Sequence, residues 1–161
     1  MLLVNFCNTS SARCSRRWMR RPRRVLVFDQ RRHVSGNLSD AGLDKEGYAY
    51  VPAACRQGGC RVHVVFHGCR QGASQIGRRF VEGAGYNRWA EANRLIVLYP
   101  QVAPRLGAAW GSTRWQLNPN GCWDWWGYTG ERYHTREGVQ IRAIEAMLEQ
   151  VGKALAGTAR P

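Results

Sequence analysis

The sequence predicts a layered α/β domain, and three observations carry that prediction. Short strings of strand formers recur at 25–28 (VLVF), 48–51 (YAYV), 61–66 (RVHVVF) and 95–99 (LIVLY). A helical period lies between the last two strings, which gives the strand–turn–helix–strand order of a βαβ unit. The chain then closes on an amphipathic repeat that runs to Gly157. With 161 residues and 44% hydrophobic content there is room for one core, and the composition is not that of a disordered chain.

The elements follow in order. Residues 1–24 join a short apolar start to a run with seven Arg and no acid between residues 13 and 24. They have no period and are expected to be a basic, disordered extension, with the domain itself spanning 25–157. The 25–28 strand ends at Asp29-Gln30, and 31–47 is polar and aperiodic. The 48–51 strand is stopped by Pro52. Ala53 to Gly59 is a turn short enough for an antiparallel hairpin with 61–66, closed by Cys55 and Cys60. Ser74 is a candidate helix cap. Ile76, Phe80 and Ala84, then Tyr86, Trp89 and Ala90, keep a helical period that Gly83 and Gly85 interrupt, so two helical pieces are expected. LIVLY is apolar throughout and reads as a central parallel strand covered on both faces. Residues 101–136 show little regular structure yet hold five Trp, which favours a functional loop over disorder. The last helix begins at Thr135 or Arg136, with Ile141, Ile144, Leu148, Val151 and Leu155 on one face and Met147 beside them.

Net charge is +13, which raises nucleic acid as a partner. The clustering of Arg near the start and the lack of a recognition module argue against a specific one. No apolar run is long enough to span a bilayer. The start carries its charges after its apolar residues, the reverse of an export signal, so none is visible. Six Cys leave two readings open: disulfides of an oxidising compartment, or zinc. Cys55-x4-Cys60 has no second matching pair, which weighs against a metal.

Chemistry concentrates in two places. His67-Gly68-Cys69 stands where the 61–66 strand ends, the position at which open α/β sheets bind ligands. A tight glycine turn there can aim backbone N–H groups at a developing oxyanion, and it can equally be a plain strand end. His67 could orient that turn or simply fill space, and His63, alternating within a strand, reads as structural. Gly72-Ala-Ser-Gln-Ile76 is the nearest approach to a nucleophile elbow, but it lacks the second Gly and follows a loop, not a strand. Cys69 as a nucleophile would need a free thiolate and a base. No phosphate loop, zinc-protease string or dinucleotide fingerprint is present, so no cofactor and no metal are expected. The second place is Asn118-Pro-Asn-Gly-Cys-Trp-Asp-Trp-Trp-Gly-Tyr128, whose rings and amides could hold a polyester, a sugar or a peptide.

Several long strings carry a family likeness. They are Gly47-Tyr-Ala-Tyr-Val-Pro-Ala-Ala-Cys55, Cys60-Arg-Val-His-Val-Val-Phe-His-Gly-Cys-Arg-Gln71, Tyr86-Asn-Arg-Trp-Ala90, Leu95-Ile-Val-Leu-Tyr-Pro-Gln101 and the Trp-rich string itself. Over about residues 25–155 the chain resembles the carboxy-terminal half of extracellular, esterase-type poly(3-hydroxybutyrate) depolymerases. The resemblance implies part of a circularly permuted α/β-hydrolase sheet with flanking helices and a long Trp-rich loop. It implies a backbone N–H of Cys69 in the oxyanion hole, with His67 in support, and disulfides Cys69–Cys122 and Cys55–Cys60. It makes Trp123, Trp125 and Trp126 candidates for contacting polyester or a short-chain ester. In that family the Ser, Asp and His of the triad lie in the amino-terminal half, which these strings do not match. The expectation is therefore a depolymerase fragment, inactive alone and extracellular by family. The alternative is a non-catalytic binding or interaction domain that uses the Trp-rich cleft and the basic arm. Oligomeric state is not predicted.

Overall fold

A computed structural model describes residues 25–108, 111–112 and 114–157, with side chains as far as Lys153. The basic extension, Cys7, Cys14 and Trp110 lie outside the described residues. Six strands and four helices are described: β1 (Val25–Asp29), β2 (Glu46–Tyr50), β3 (Arg61–Val64), α1 (Ala73–Ile76), α2 (Arg79–Gly83), α3 (Tyr86–Asn93), β4 (Leu95–Tyr99), β5 (Arg105–Ala108), β6 (Trp115–Asn118) and α4 (Val139–Gly157). The first four strands form one sheet in the order β1-β2-β4-β3. Helices cover both of its faces, in an α/β-hydrolase-like arrangement.

β4 is central, as its unbroken apolar run requires, and four of its five residues are buried. It is parallel to β3 and antiparallel to β2. The hairpin expected between β2 and β3 is not formed: β2 pairs with β1 and β4, and β3 with β4 alone. Pro52 ends β2, a 3₁₀ turn follows at Ala53–Gln57, and Gly58 takes a positive φ of 83°. The chain is thereby carried away from β2. LIVLY fills the slot between the two strands, where an apolar strand buries most surface.

One face of the sheet packs Ala49 and Leu98 against Ala143 and Met147 of α4. The other packs Tyr48, Tyr50, Val97 and Tyr99 against Val81 of α2 and Ala90 of α3. Ile144, Leu148 and Val151 flank the buried stripe of α4, as expected, but Ile141 is exposed. The stripe is centred on Ala143 and Met147, which turns Ile141 to the rim. The helical region after β3 comes as three pieces, broken at Gly77 (φ +62°) and Gly85 (φ +91°). The 101–136 segment is more regular than its sequence suggests, because β5 and β6 pair antiparallel within it. Each has only four residues and β5 contains Gly107, too little for alternation to show.

Ser74 does not cap α1. Gly72 precedes the helix without a side-chain cap, and the Gln101 side chain accepts the Ala73 N–H at 2.8 Å. Gln101 belongs to a buried network at the carboxyl end of β4. Its amide also donates to the Pro100 carbonyl at 3.0 Å, and its own N–H donates to Gln30 Oε1 at 2.9 Å. Gln30 returns a bond from Nε2 to the Gln101 carbonyl at 2.9 Å and gives another to Asp44 O at 2.7 Å. Both glutamines are essentially inaccessible to solvent, so each lost bond leaves a group that water cannot reach. Gln101→Ala is expected to lower unfolding free energy by about 3 kcal/mol in urea titration. The Gln30→Ala, Gln101→Ala double variant should fall short of additivity by at least about 0.5 kcal/mol, because the two side chains share partners.

Candidate functional site

The His67-Gly68-Cys69 turn stands at the carboxyl end of β3 and is fixed from three directions. His67 is buried and spends both ring nitrogens internally. Nδ1–H donates to the Gly68 carbonyl at 2.8 Å, which leaves Nε2 to accept the Val102 N–H at 3.1 Å. The imidazole is therefore neutral, and burial holds its pKa below the usual histidine value. The space beside it is full. A Cβ on Gly72 would meet the Val102 carbonyl at 2.9 Å and His67 Cε1 at 3.3 Å. On the second side, Gln71 Oε1 accepts the Gly68 N–H at 2.9 Å and the Gln71 N–H returns to the Gly68 carbonyl at 3.1 Å. On the third, the Arg70 N–H donates to Asn120 O at 2.7 Å and Cys69 is bonded to Cys122. Arg70 sits at φ +64°, a left-handed conformation that a non-glycine residue adopts at a cost and that this anchoring maintains. Among the described residues no acceptor takes the Cys69 N–H, and Cys69 is exposed.

The Trp-rich string is held onto this turn from its own side. The Asn118 side chain brackets Cys122, donating to its carbonyl and accepting its N–H, both at 2.8 Å. Gly121 at φ +58° lets the chain pass close to Pro104. Trp123 then lies edge-on to Phe66 at 4.8 Å and tilted to His67 at 5.7 Å between ring centres. Its buried indole N–H has no partner among the described residues.

Beyond Trp123 the loop winds around Asp124. Oδ1 accepts the N–H groups of Trp126, Gly127 and Tyr128, and Oδ2 accepts the N–H and hydroxyl of Thr129. Gln140, at the start of α4, accepts the Asp124 N–H at 2.9 Å and donates to the Ala41 carbonyl at 2.9 Å and to Tyr128 Oη at 2.8 Å. The Tyr128 hydroxyl bonds the Cys122 carbonyl at 3.0 Å, and burial pushes its pKa up to about 12. Trp125 and Trp126 pack edge to face at 5.2 Å, and Trp125 is 71% exposed.

The sequence-predicted residues thus fall into two groups. His67, Cys69, Cys122 and Trp123 come together at the end of β3, while Trp125 and Trp126 form a separate exposed pair on the Asp124 loop. Cys55 and Cys60 are bonded as expected but lie at the other end of β3, where they staple a turn. Sequence reasoning passed over Asp124, Asn118, Gln140 and Gln101, which hold the site in shape. Asp124 had a signal: a short carboxylate followed by W-W-G-Y-T can collect successive N–H groups. The glutamines had none, since their partners are distant in sequence. A polar cavity of about 650 Å³ lies elsewhere, bounded by Asn37, Asp40, Arg114, Thr129 and Glu131. It includes neither Cys69 nor the three tryptophans. Among the described residues no group of three or more His, Cys, Asp or Glu could hold a metal, and no helix is long and apolar enough to cross a membrane.

Fold and site together define a mixed α/β, hydrolase-like protein with a disulfide-pinned turn at a strand end. Comparison with known proteins is specific about its relatives. The chain is 42% identical over 137 residues to the polyhydroxybutyrate depolymerase of Talaromyces funiculosus, covering 83% of this chain and 39% of that protein. It is 39% identical over 127 residues to the poly(3-hydroxybutyrate) depolymerase of Delftia acidovorans, covering 77% of this chain and 23% of that one. The crystal structure of the Penicillium funiculosum PHB depolymerase superposes with a TM-score of 0.69 at 42% identity, over 82% of this chain and 41% of that chain. A serine-to-alanine PHB depolymerase variant complexed with an R3HB trimer matches equally well. No protein-family model matches. The chain is homologous to polyhydroxybutyrate depolymerases over about four fifths of its length, and it spans about two fifths of these relatives or less.

Two measurements probe the site's supports. An unfolded histidine titrates near 6.5, and folded His67 titrates lower. Below the unfolded value the unfolded chain binds more protons, so this contribution to stability is present above about pH 6.5 and is lost as the pH falls through the lowered folded pKa. His67→Gln should flatten this dependence in urea titrations at several pH values, leaving a smaller slope from His33, whose pKa burial also lowers. Asp124→Ala releases four backbone N–H groups and a hydroxyl at once. It should cost about 3 kcal/mol and raise acrylamide quenching of tryptophan fluorescence as the loop opens.

Proposed function

We propose that this chain forms one part of a serine-type carboxylic-ester hydrolase acting on poly(3-hydroxybutyrate) or its short oligomers. The observation that carries this reading is the unengaged N–H of Cys69, an exposed residue at a strand's carboxyl end. Its neighbours are all internally bonded, and the turn sits in a chain homologous to polyhydroxybutyrate depolymerases. In this reading the Cys69 N–H stabilises the oxyanion formed when a serine attacks the ester carbonyl. His67 keeps the turn in position and takes no proton, since both its nitrogens are committed. Trp123 lines the cleft beside the turn, and Trp125 and Trp126 extend it for polymer. That a relative has been seen with an R3HB trimer favours this substrate class.

Residues 25–157 are the folded part of the domain in this reading, and residues 1–24 are a basic extension. Two disulfides suit an extracellular, oxidising setting. The nucleophile and its base come from outside the described residues, among which no serine hydroxyl bonds a histidine and the Cys69 sulfur is locked in a disulfide. A second reading, a non-catalytic binding module, draws on the exposed apolar side chains of the hairpin. Leu106 and Trp115 are each 75% exposed and Leu117 is 57% exposed, which suits adsorption to a hydrophobic solid.

Hydrolysis separates the two. The purified chain should release no p-nitrophenol from a short-chain ester, and no 3-hydroxybutyrate from its trimer, above the uncatalysed rate. Addition of the part of the Talaromyces funiculosus enzyme that this chain does not span should bring activity, and Trp123→Ala should then raise KM for the trimer. Polymer binding by the chain, with no turnover even after that addition, would favour the binding module. Turnover by the chain alone that disappears in Ser74→Ala would overturn the assignment of the nucleophile to another segment.

A further inference from the structure

Asn120 is followed by Gly121, and it is the one asparagine in the sequence that precedes a glycine. The main-chain nitrogen of the next residue can attack an asparagine side chain when it can lose its proton and no side chain shields it. Glycine, with no Cβ, shields it least. The surroundings of Asn120 leave this chemistry open. The residue is exposed, and among the described residues its side-chain amide bonds nothing. The Gly121 N–H donates to the Asn118 carbonyl at 3.2 Å, the long end of the range for such a bond, so little holds that nitrogen back. Asn118 is the opposite case. Its buried side chain is bonded at both ends to Cys122, and Pro119 after it has no N–H to lose.

Position gives this chemistry its consequence. The Asn120 carbonyl accepts the Arg70 N–H at 2.7 Å, and that bond helps to keep Arg70 at φ +64° beside Cys69. Cys122, two residues on, is bonded to Cys69. A change in the main chain at Asn120 therefore bears on the Cys69 turn from both sides.

We propose that Asn120 is a self-modification site, through which the chain converts its own Cys69 turn into a form that no longer holds the Cys69 N–H in place. The Gly121 nitrogen, its proton lost to hydroxide, bonds to Asn120 Cγ. The Cγ–Nδ2 bond breaks, and the side-chain nitrogen takes a proton from water and leaves as ammonia. One water then opens the five-membered imide ring. Opening at Cγ gives an ordinary aspartyl residue. Opening at the main-chain carbonyl gives an isoaspartyl residue, whose chain runs through Cβ and Cγ and is one carbon longer. Nothing is oxidised or reduced: one water is consumed and one ammonia released. In the isoaspartyl form the carbonyl that held Arg70 has become part of a carboxylate off the main chain. Both products add a negative charge there, which opposes the charge of an oxyanion. That last effect rests on the reading above of Cys69 as an oxyanion donor, whereas the modification itself does not.

The test incubates the 161-residue chain, disulfides intact, at mildly alkaline and mildly acidic pH and digests it with trypsin. Peptide 115–132 should gain the mass of amide-to-acid conversion, faster at the alkaline pH, and should become a substrate for protein isoaspartyl methyltransferase. Fragmentation should place the change at Asn120 and leave Asn118 intact. Asn120→Gln, which would have to close a six-membered ring, should show neither signal. By NMR exchange the Arg70 amide should lose protection in the isoaspartyl chain and keep it in Asn120→Asp, whose main chain is unaltered. A chain that retains Asn120 through prolonged alkaline incubation would overturn the proposal. So would an isoaspartyl chain whose Arg70 and Cys69 amides are unmoved. Mixed with the part of the Talaromyces funiculosus enzyme that this chain does not span, the converted chain should give a kcat for trimer hydrolysis at least about tenfold below that of fresh chain. If fresh chain supports no hydrolysis, the hydrolase reading falls and the modification stands. If fresh and converted chains hydrolyse equally well, that reading stands and the present inference falls.

Discussion

The bond from the Val102 N–H to His67 Nε2 is the contact on which the rest of the site depends. Where β4 ends, the chain leaves the sheet while still buried; an isolated bridge to the 42–44 segment takes the Gln101 carbonyl and the Ala103 N–H, and the N–H groups of Gln101 and Val102 are left without a backbone partner. Such groups must be satisfied by side chains. His67 reaches across from the end of β3 to do so, and Gln101 and Gln30 serve their neighbours in the same way. The ends of the two parallel strands are thereby joined by side chains as well as by register. The Cys69 turn inherits its position from that junction. An imidazole with both nitrogens engaged is also a poor proton carrier, so the same bond that fixes His67 removes it from acid–base chemistry.

A second support reaches the turn from the opposite side. α4 packs on the sheet, its first turn carries Gln140, and Gln140 grips the Asp124 loop and the Ala41 carbonyl together. The Asp124 loop leads back through Cys122 to Cys69. The turn is therefore held between the sheet, through His67, and the helix layer, through the aromatic loop. Trp123 is the wedge between the two, in contact with both Phe66 and His67. Displacing one support would carry the turn with the other, which is why the site's geometry depends on residues far from it in sequence.

Much of this was legible in the sequence, and the failures have specific causes. Unbroken apolarity announced β4, the HGC turn announced the strand end, and Gly85 announced one break between helices, whereas the break at Gly77 is not legible and Gly83 falls inside a helix. The pairing of β2 was misread because proximity in sequence favours a hairpin, and nothing local shows that a third strand 30 residues on will claim the gap. Ile141 shares the helical period of Ile144, Leu148 and Val151 and so reads as buried, yet the stripe centres on Ala143 and Met147. The β5–β6 hairpin escaped because four-residue strands carry too little alternation to be read. Gln30, Gln101 and Gln140 were silent for a common reason: a buried glutamine resembles a surface glutamine until its partners, up to 99 residues away, are known.

The strand order has a kinetic side. β1 and β2 are joined by residues 30–45 and can meet before β4, which must close longer loops back to both β2 and β3 before it is held. Loop closure costs entropy before contacts repay it, so the central strand of this sheet is slow to arrive. The Gln30–Gln101 tie bridges 71 positions and requires β1 and β4 both to be in place. It therefore belongs among the contacts completed after the sheet has assembled. Contacts of that kind do little to speed folding, and they act mainly by slowing the escape from the finished structure.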